Sequence, residues 1–343
     1  MKKRSVLMIV AKYPATYGHT TVINNLCAGL NKMGYRAAIA AFSFDEEPPF
    51  NIEKVRLSKK KLLTEGVKYL DFNIIHPHQA RVMYYLLFKK PTKPIVFHYH
   101  AAATKIQEIN LTLMMALYKK RISKTICVSQ KALNHLQGLT GKCDAVIIYN
   151  GSDTNFYNPN LPKPYKKGEP QLLFVSVLRR YKNAGALVDA MPELLKKYPK
   201  AHLQIVGSGE DYDRLKEKIK RLSLENNIEM TGKVTDEELR LRYSSCDLYI
   251  SASTNEHCPV PTFEAMACGK PLVLSELESH KEIVNASKAG LTFSFSNISD
   301  ICRKIDEVYK NEKVYSEHAL KFSRNYDWSN ICKQVAIVYD QIS

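Results

Sequence analysis

Short apolar runs alternate with helical stretches along most of the chain. In the first half, candidate strands lie at residues 5–11, 36–42, 73–78, 94–100, 124–129 and 145–150. In the second half, they lie at residues 172–178, 202–209, 228–234, 248–253 and 271–276. Strands that alternate with helices are typical of parallel sheets covered by helices on both faces. The pattern therefore predicts an α/β protein.

A segment without periodicity separates the two series of strands. Residues 158–171 read NPNLPKPYKKGEPQ and are rich in proline and lysine, which is typical of a linker. The chain has 343 residues, 45% of them hydrophobic, and this is enough for two domains with separate cores. We expect an N-terminal domain over 1–160, a linker over 161–170, a C-terminal domain over 171–325 and a final helix over 326–343.

The last segment has the periodicity of an amphipathic helix. Its apolar positions are Ile331, Val335, Val338 and Ile342, and a Ser or Asp cap precedes them. Trp328, the only tryptophan, is expected to pack at the start of this helix.

Two glutamates flank a short run with two prolines in NEHCPVPTFEAMACGKP, residues 255–271. Because proline lacks an amide hydrogen and disfavours helix in the residue before it, one continuous helix cannot join Glu256 to Glu264. We expect a loop that carries Glu256, then a helix that starts near Pro261 or Thr262 and stops at the Gly-Lys-Pro sequence. Glu264 would lie in the first turn, an arrangement typical of a ligand site at a helix N-terminus.

Together these segments resemble the retaining GT-B glycosyltransferases of the group 1 family, glycosyltransferase family 4. The resemblance covers nearly the whole chain and is densest from Val146 to Leu291. It rests on residues 146–159, on residues 202–253, and on the Glu-x7-Glu motif of Glu256–Glu264 with its Ala-Met-Ala-Cys-Gly continuation. It implies two Rossmann-like domains facing across a cleft, with the C-terminal helix crossing back to the N-terminal domain. It also implies sugar transfer from a nucleotide diphosphate-sugar with retention of configuration.

By this resemblance, the two glutamates of the motif bind the donor. Glu264 would bind the ribose, since a carboxylate accepts hydrogen bonds from both hydroxyls of a cis-diol. Glu256 would contact hydroxyls of the transferred sugar. The alternative for either glutamate is a carboxylate that complements a helix dipole. Cys258, Val260 and Pro261 are the further donor-binding positions expected in this segment.

The resemblance also implies positive charge beside the departing diphosphate. Lys182 falls on the family's phosphate lysine, but Ser176-Val177 stands where the family has Gly-Arg. Arg179 or Arg180 would restore the missing charge. The alternative for these basic residues is a solvated turn.

Other donor contacts are expected at turns that follow strands. Gly18 stands in PATYGHTT, in place of a Gly-Gly loop that opens onto a helix, and His19 stands where the second glycine is expected. Gly207 belongs to a Gly-Ser-Gly turn. The nucleotide base is expected near the Gly-Lys-Val turn that contains Lys233 and Val234.

Histidines cluster at the ends of two predicted strands in the first half. His100 matches the family position that faces the donor sugar, so the resemblance implies contact with a sugar hydroxyl or the reacting centre; packing is the alternative. His98 would point to the same side as His100 in a regular strand. We assign His98, His76 and His78, together with His19, to the acceptor side, with a structural role as the alternative. His100, Glu256 and Lys182 are thus the candidate catalytic residues.

No metal ion or resident cofactor is predicted. The strand-end histidines are suitable ligands, but the sequence fixes no third ligand. Asp211-Tyr-Asp213 resembles an Asp-x-Asp metal motif, yet it heads a helical stretch and is interpreted as a helix-start cap. The resemblance implies metal-independent transfer, in which the departing phosphate accepts the acceptor's proton. The co-substrate is expected to be a nucleotide diphosphate-sugar, with UDP or GDP as the nucleotide.

The excess positive charge lies entirely in the first half of the chain. Residues 1–170 carry 26 Lys and Arg against 10 Asp and Glu, whereas residues 171–343 carry 24 of each, within a net charge of +16. Segments 54–70 and 113–124 combine basic and apolar residues, a combination that binds anionic interfaces. An anionic membrane surface and a lipid-linked or envelope glycan acceptor are therefore expected partners. The alternative for each segment is an ordinary helix with a solvated basic face.

Other features narrow the class of protein. The eight cysteines are scattered singly, as in proteins of a reducing cytosol, and no segment approaches the roughly 18 apolar residues of a membrane span. We expect a cytoplasmic protein, peripheral at the inner face of the membrane. Nucleic acid is not an expected partner, because the sequence lacks a recognisable module. The alternative to a transferase is a non-catalytic nucleotide-sugar-binding relative or a partner subunit of another transferase.

Overall fold

A computed structural model describes residues 4–15, 18–102, 104–294 and 297–342. These residues fall into two compact units. The first extends to Asn150 and includes the chain from Trp328 onward, whereas the second is Gly151–Asp327. Both units contain parallel sheets and helices, which confirms the predicted α/β class.

The first unit alternates strands and helices, which are numbered here in chain order. Its strands are β1 (Ser5–Ile9), β2 (Lys12–Tyr13), β3 (Arg36–Ala41), β4 (Ser43–Phe44), β5 (Glu53–Arg56), β6 (Ile74–Pro77), β7 (Val96–Tyr99), β8 (Lys124–Cys127) and β9 (Ala145–Ile147). Its helices are α1 (His19–Lys32), α2 (Lys59–Glu65), α3 (Ala80–Leu87), α4 (Lys105–Tyr118), α5 (Gln130–Thr140) and the final α13 (Trp328–Ile342).

The main sheet of the first unit has a point where the strand order reverses. Its order is β5-β3-β1-β6, all parallel, and a bridge between Ile75 and Ile95 links β6 to the parallel β7-β8-β9 sheet. The strands before β6 build outward from β1 through β3 to β5, and the chain then returns to pair β6 with the other edge of β1. Ligands of such sheets bind beyond the carboxyl ends of the strands at this switch point.

The C-terminal helix α13 packs within the first unit. Trp328, Ile331, Val335 and Val338 are buried, which confirms the predicted apolar face, and Ile342 is half-buried. The helix lies so close to α1 that a Cβ on Gly29 would be 2.4 Å from the sulfur of Cys332.

The second unit is built around one parallel sheet of six strands. Its strands are β10 (Gln171–Val175), β11 (His202–Val206), β12 (Ile228–Gly232), β13 (Leu248–Ser251), β14 (Leu272–Ser275) and β15 (Gly290–Phe293). Its helices are α6 (Ala184–Lys197), α7 (Tyr212–Arg221), α8 (Asp236–Ser245), α9 (Val260–Ala267), α10 (Glu278–Ser287), α11 (Ile298–Lys310) and α12 (Glu312–Ser323). The order β12-β11-β10-β13-β14-β15 puts the switch point between β10 and β13.

Residues 151–160 belong to the second unit, although we expected them in the N-terminal domain. Backbone and side-chain hydrogen bonds hold them there. Ser152 N donates to the carbonyl of Tyr326 at 3.0 Å, and Thr154 donates to Oδ2 of Asp327 through its backbone N at 3.0 Å and its Oγ1 at 2.7 Å. The expected linker, 161–170, contains neither helix nor strand.

Segment 54–70 is not one continuous helix. It contains most of β5, all of α2 and a 3-10 turn at Gly66–Tyr69, and within α2 only Leu62 is buried. In segment 113–124, α4 ends at Tyr118, so the basic residues of that segment follow the helix. No helix in the described ranges combines the length and apolar character that crossing a bilayer requires.

Candidate functional site

In the second unit, the loops after β10 and β13 meet at the switch point. They are tied together through Thr254, whose backbone N and Oγ1 both donate to the carbonyl of Tyr181, at 2.8 and 3.1 Å. The first loop carries Arg179 and a 3-10 turn of Arg180–Lys182, and the second carries Glu256. Neighbouring parallel strands therefore bring together residues that are more than seventy positions apart.

Lys182 and Glu256 form an ion pair at this switch point. Their side chains are only 16% and 15% exposed, so water screens the pair less than it would on an open surface. Ser253 Oγ donates to Glu256 Oε1 at 3.2 Å, and Ser279 Oγ donates to the Glu256 carbonyl at 2.8 Å. A lysine ammonium and an oriented carboxylate thus lie side by side, able to bind a phosphate and a hydroxyl respectively.

Glu264 lies in the second turn of α9, so its predicted position in the first turn is wrong. The helix starts at Val260, with Pro259 before it and Pro261 second, which makes Glu264 the fifth residue. The first turn of a helix tolerates proline, because backbone N–H groups there have no intrahelical hydrogen-bond acceptor. As predicted, the helix stops just before Gly269, which has a positive φ of 69°.

The Glu264 carboxylate is buried among tyrosines. Tyr243 donates to its Oε2 at 2.8 Å, and Tyr157 is also hydrogen-bonded to it. Burial raises the pKa of Glu264 to about 7, and the nearby charge of Asp236 acts in the same direction, although the tyrosine hydrogen bonds oppose it. This carboxyl group therefore changes its protonation state near neutral pH.

The Gly-Ser-Gly turn after β11 packs directly against the loop after β10. A Cβ on Gly207 would be 1.9 Å from the carbonyl oxygen of Ser176, and one on Gly209 would be 2.3 Å from that of Leu178. Both glycines also have positive φ angles, 126° and 155°. Gly207 is thus required for the close approach of this turn to the loop that leads to Lys182.

The remaining predicted donor positions of the second unit lie around these loops. Lys233 is exposed and Val234 half-buried, and both follow β12 directly. Cys258 is buried in the loop before α9, whose second residue is Pro261. Arg180 is exposed, whereas Arg179 is half-buried.

Asp211 occupies the N-cap position of α7, which confirms the predicted position, but the predicted capping role is wrong. Its carboxylate does not cap a backbone amide. It accepts instead from Arg214 Nε at 2.5 Å and Nη2 at 2.7 Å. The Asp-x-Asp sequence is therefore accounted for by helix initiation and an ion pair.

In the first unit, α1 begins beyond β1, where Gly18 is its N-cap in a left-handed conformation with φ of 77°. A Cβ on Gly18 would meet no described atom within 4 Å, so the backbone is open on that side. His19 is the first helical residue. Burial, followed by the charge of Arg81, lowers its pKa to about 4. Thr16 and Tyr17 of the predicted loop lie outside the described residues.

Beside this helix start, four imidazoles form two hydrogen-bonded pairs, which we call the histidine ladder: His76 with His98, and His78 with His100. In the first pair, the His98 Nδ1 and His76 Nε2 atoms are 3.2 Å apart, and His76 Nδ1 is 2.5 Å from the hydroxyl of Tyr339. Among the described residues, Nε2 of the buried His98 has no hydrogen-bond partner. Burial lowers the pKa of His76 to about 3, so the ring is neutral near pH 7.

The second pair of the ladder lies against the first. His78 Nδ1 is 2.9 Å from His100 Nε2, and His78 Nε2 is 3.3 Å from the sulfur of Met8. The rings of His98 and His100 stack 4.5 Å apart at 5°, which confirms that both point to the same side. His19 also lies against His100, with ring centroids 4.3 Å apart. Burial lowers the pKa values of His78, His98 and His100 well below the usual range.

The sequence did not identify a third ligand for a metal site, but the ladder brings three imidazoles close together. One nitrogen from each of His76, His78 and His98 lies within 4.8 Å of the others. Their ring planes differ by only 13–22°, however, and metal ligation requires lone pairs that converge on one point. Facing nitrogens in the ladder are already paired, so its geometry is that of a hydrogen-bonded array.

Several residues that shape these sites were not singled out from the sequence. Tyr157 and Tyr243 contact Glu264, Ser253 contacts Glu256, and Met8 and Tyr339 contact the ladder. The apolar periodicity accounts for Met8 as core, but no sequence signal indicates which polar group each of the other four would meet.

Comparison with known proteins identifies the family. The model described as glycosyl transferases group 1 matches residues 160–326, and that of glycosyltransferase family 4 matches residues 17–156. A phosphatidyl-myo-inositol mannosyltransferase of Mycolicibacterium smegmatis is 27% identical over 83% of this chain and 74% of its own length. An uncharacterized glycosyltransferase of Haemophilus influenzae is 25% identical, covering 92% of this chain and 94% of its own length.

Solved structures show the same fold. Anabaena HepE in complex with UDP and glucose matches with a TM-score of 0.82 at 19% identity, over 98% of this chain and 100% of its own. Sucrose-phosphate synthase from Thermosynechococcus elongatus matches with a TM-score of 0.82 at 17% identity, over 99% of both chains. These matches confirm the predicted GT-B fold class. The chain therefore belongs to the group 1 glycosyltransferases of family 4, which transfer sugars from nucleotide-sugar donors.

Proposed function

We propose that this protein transfers a hexosyl group from UDP- or GDP-sugar to a lipid-linked or cell-envelope glycan acceptor, with retention and without a metal ion. The observation that carries this proposal is the Lys182–Glu256 ion pair at the β10/β13 switch point. An ammonium beside a carboxylate is suited to a ligand that carries phosphate next to sugar hydroxyls.

Lys182 would stabilise the departing diphosphate. Its charge is neutralised by Glu256 in the ion pair described above. When a diphosphate binds, Lys182 turns to it, and Glu256 is released to accept hydrogen bonds from sugar hydroxyls. Arg179 and Arg180 lie on the same loop and would add the positive charge that the missing Gly-Arg pair supplies in the family.

Glu264 would bind the ribose through its carboxylate. Tyr243 already donates to one carboxylate oxygen, which orients the group. An ionised carboxylate has lone pairs for both ribose hydroxyls as well as the tyrosine. Ribose hydroxyls thus favour the charged form of a group whose pKa is raised by burial to about 7.

The transfer step would occur on one face of the sugar. The bond from the anomeric carbon to the leaving phosphate oxygen breaks, and its electron pair leaves with the nucleotide diphosphate. The acceptor hydroxyl oxygen forms its bond to the same carbon on the same face, and its proton passes to the leaving phosphate oxygen. The protein's contribution is positive charge from Lys182 and orientation of sugar hydroxyls by Glu256 and His100.

Ligand binding tests the donor assignment first. Thermal-shift measurements with UDP-, GDP- and ADP-sugars in EDTA should give a stabilising shift for a UDP- or GDP-sugar, because ligands that bind only the native state raise its stability. The absence of a shift with every donor would contradict the proposal. A shift without transfer would support the non-catalytic alternative, which the transferase relatives do not favour.

An exposed apolar face on α4 supports the proposal of a lipid-linked acceptor. Four apolar side chains on this helix are exposed at spacings of three and four residues, so they share one face. They are Ile106, Ile109, Leu113 and Leu117, whose exposed fractions are 72%, 60%, 53% and 65% respectively. Contiguous exposed apolar patches on proteins often mark interaction sites.

The segment of the chain that contains this stripe is strongly basic. Residues 73–143 contain 11 Lys and Arg and a single acidic residue, Glu108. Phe88, 56% exposed, lies next to Arg121, which donates to its carbonyl oxygen at 3.1 Å. Apolar side chains within a basic field fit the anionic headgroup region of a bilayer.

Co-sedimentation with liposomes tests the membrane proposal. Recovery in the pellet should be high with vesicles that contain phosphatidylglycerol and low with pure phosphatidylcholine. It should fall between low and moderate salt, because exposed charges are screened. Equal recovery with both lipids at both salt concentrations would rule out this surface.

A further inference from the structure

Met8, which contacts His78 of the histidine ladder, determines which ring nitrogen of His78 carries the hydrogen. Met8 and His78 are buried, and the Met8 sulfur is 3.3 Å from His78 Nε2. A thioether has no hydrogen to donate and is only a weak acceptor. This contact is therefore favourable when Nε2 carries the ring hydrogen. Because the lowered pKa keeps the ring neutral, it has one such hydrogen, and Nδ1 of His78 is left with a lone pair.

The tautomer of His78 determines the tautomer of His100 through the hydrogen bond between the two rings. His78 Nδ1 is 2.9 Å from His100 Nε2, so a lone pair on the first requires a hydrogen on the second. His100 is also neutral near pH 7, since burial lowers its pKa. Its Nδ1 therefore has a lone pair, and no described residue forms a hydrogen bond with that nitrogen.

The opposite arrangement is disfavoured by the same contacts. If His78 Nδ1 carried the hydrogen and donated it to His100, the His78 Nε2 lone pair would face the lone pairs of the Met8 sulfur. His78 is only 2% exposed, so water does not compensate. Free histidine has a modest preference for hydrogen on Nε2, and the contacts of His78 with Met8 and His100 strengthen that preference.

We propose that Met8 and His78 are positioning residues that hold His100 as the Nε2–H tautomer, so that its Nδ1 accepts a hydrogen bond from a ligand hydroxyl. The identity of this ligand as a sugar rests on the proposed function. The tautomer gives the site a chemical selectivity. A hydroxyl that donates is accepted, whereas an ether oxygen or a fluorine at the same position has no hydrogen to donate and is rejected.

NMR spectroscopy of ligand-free, 15N-histidine-labelled protein tests this proposal without any enzymatic assay. We expect 15N chemical shifts and one-bond N–H couplings to place the hydrogen of both His78 and His100 on Nε2. A through-hydrogen-bond N–N coupling should show that the two rings are hydrogen-bonded. In Met8→Leu, the fraction of His100 with hydrogen on Nδ1 should rise at least threefold. Hydrogen on Nδ1 of wild-type His100, or an unchanged fraction in Met8→Leu, would overturn the proposal.

Met114→Leu is the matched control. Met114 is as buried as Met8 and lies in the same unit, but among the described residues its sulfur forms no hydrogen bond with an imidazole. It should leave the tautomer unchanged. A second pair of variants tests the effect on donor binding. His78→Asn keeps an acceptor near Nδ1 and should raise the donor KM less than threefold, whereas His78→Leu should raise it at least tenfold.

Equal KM values in His78→Asn and His78→Leu would also overturn the proposal. If wild-type protein binds no nucleotide sugar, the proposed function fails, and the NMR measurement still decides the tautomer. The two failures are therefore distinguishable.

Discussion

At the scale of single residues, Glu264 combines a tyrosine-lined burial site with a pKa near neutrality. Burial raises its pKa to about 7, and ribose hydroxyls are expected to bind its ionised form. Affinity for a nucleotide sugar should therefore fall as pH drops below about 7, by up to about tenfold per pH unit. Isothermal titration with UDP- or GDP-sugar between pH 5.5 and 8.5 measures this, because the donor diphosphate has no ionisation in that range.

Glu264→Gln is the control for that profile. Glutamine keeps the shape of the side chain but does not ionise, so the variant should bind more weakly at pH 8 and show no decline of affinity towards pH 6. A wild-type affinity independent of pH over this range would contradict the role of Glu264.

Lys182 should contribute mainly to the transfer step. Lys182→Met removes the charge that would stabilise the leaving diphosphate, and we expect kcat to fall about 100- to 1000-fold, as for loss of one oriented electrostatic group. Steady-state kinetics with the identified donor measure this. Lys196→Met, on the exposed face of α6, is the matched control and should retain wild-type kcat. A similar kcat in both variants would exclude Lys182 from leaving-group stabilisation.

At the scale of elements, the exposed face of α4 should determine membrane affinity. Ile109→Ser with Leu113→Ser removes two exposed apolar side chains, each contributing about 1.5 kcal/mol when fully buried in an interface. Partitioning onto anionic vesicles should weaken about 100-fold, while thermal stability stays unchanged because both positions are solvent-exposed. Val314→Ser, on α12 of the second unit, removes an equally exposed apolar side chain and should bind like wild type. Unchanged partitioning of the double variant would exclude α4.

The sequence predicted elements well where burial produces periodicity. The buried strands β1, β10 and β13 follow from apolar runs, and α13 follows from its spacing. The short edge strand β5 was missed because its sequence, EKVR, is mostly charged and exposed. The start of α9 was misjudged because the two prolines allow more than one first residue.

Only the residues of the site that belong to a sequence motif or follow the strands at the switch point could be predicted from the sequence. The motif and the switch-point rule indicate Lys182, Glu256 and Glu264, which follow β10 and β13 in the chain. They do not indicate Tyr243 or Met8, because tertiary packing alone brings these side chains to Glu264 and His78.

At the scale of the whole molecule, the first unit should be the more acid-sensitive. The ladder imidazoles are neutral in the fold because burial lowers their pKa values, to about 3 for His76, whereas the unfolded chain binds protons below about pH 6.5. Above that pH the histidines bind no protons in either state, so the free energy of unfolding of the first unit is not reduced by their protonation. It declines by about 1.4 kcal/mol per histidine for each pH unit below it, until the folded pKa is reached.

The only tryptophan reports on this transition, because Trp328 is buried in the first unit. Its fluorescence should change between pH 6 and 4.5, and hydrogen exchange should increase in β6 and β7 before β10 and β13. Exchange that increases at the same pH in both units would contradict this account.

Radiolabel transfer tests the central claim most directly. Wild-type protein is incubated with UDP- or GDP-[14C]sugar, a membrane extract and EDTA, and label is counted in the organic phase. We predict that label enters the lipid fraction with wild type and falls at least about 100-fold with Lys182→Met. No transfer from any donor, or equal transfer by wild type and Lys182→Met, would contradict the account.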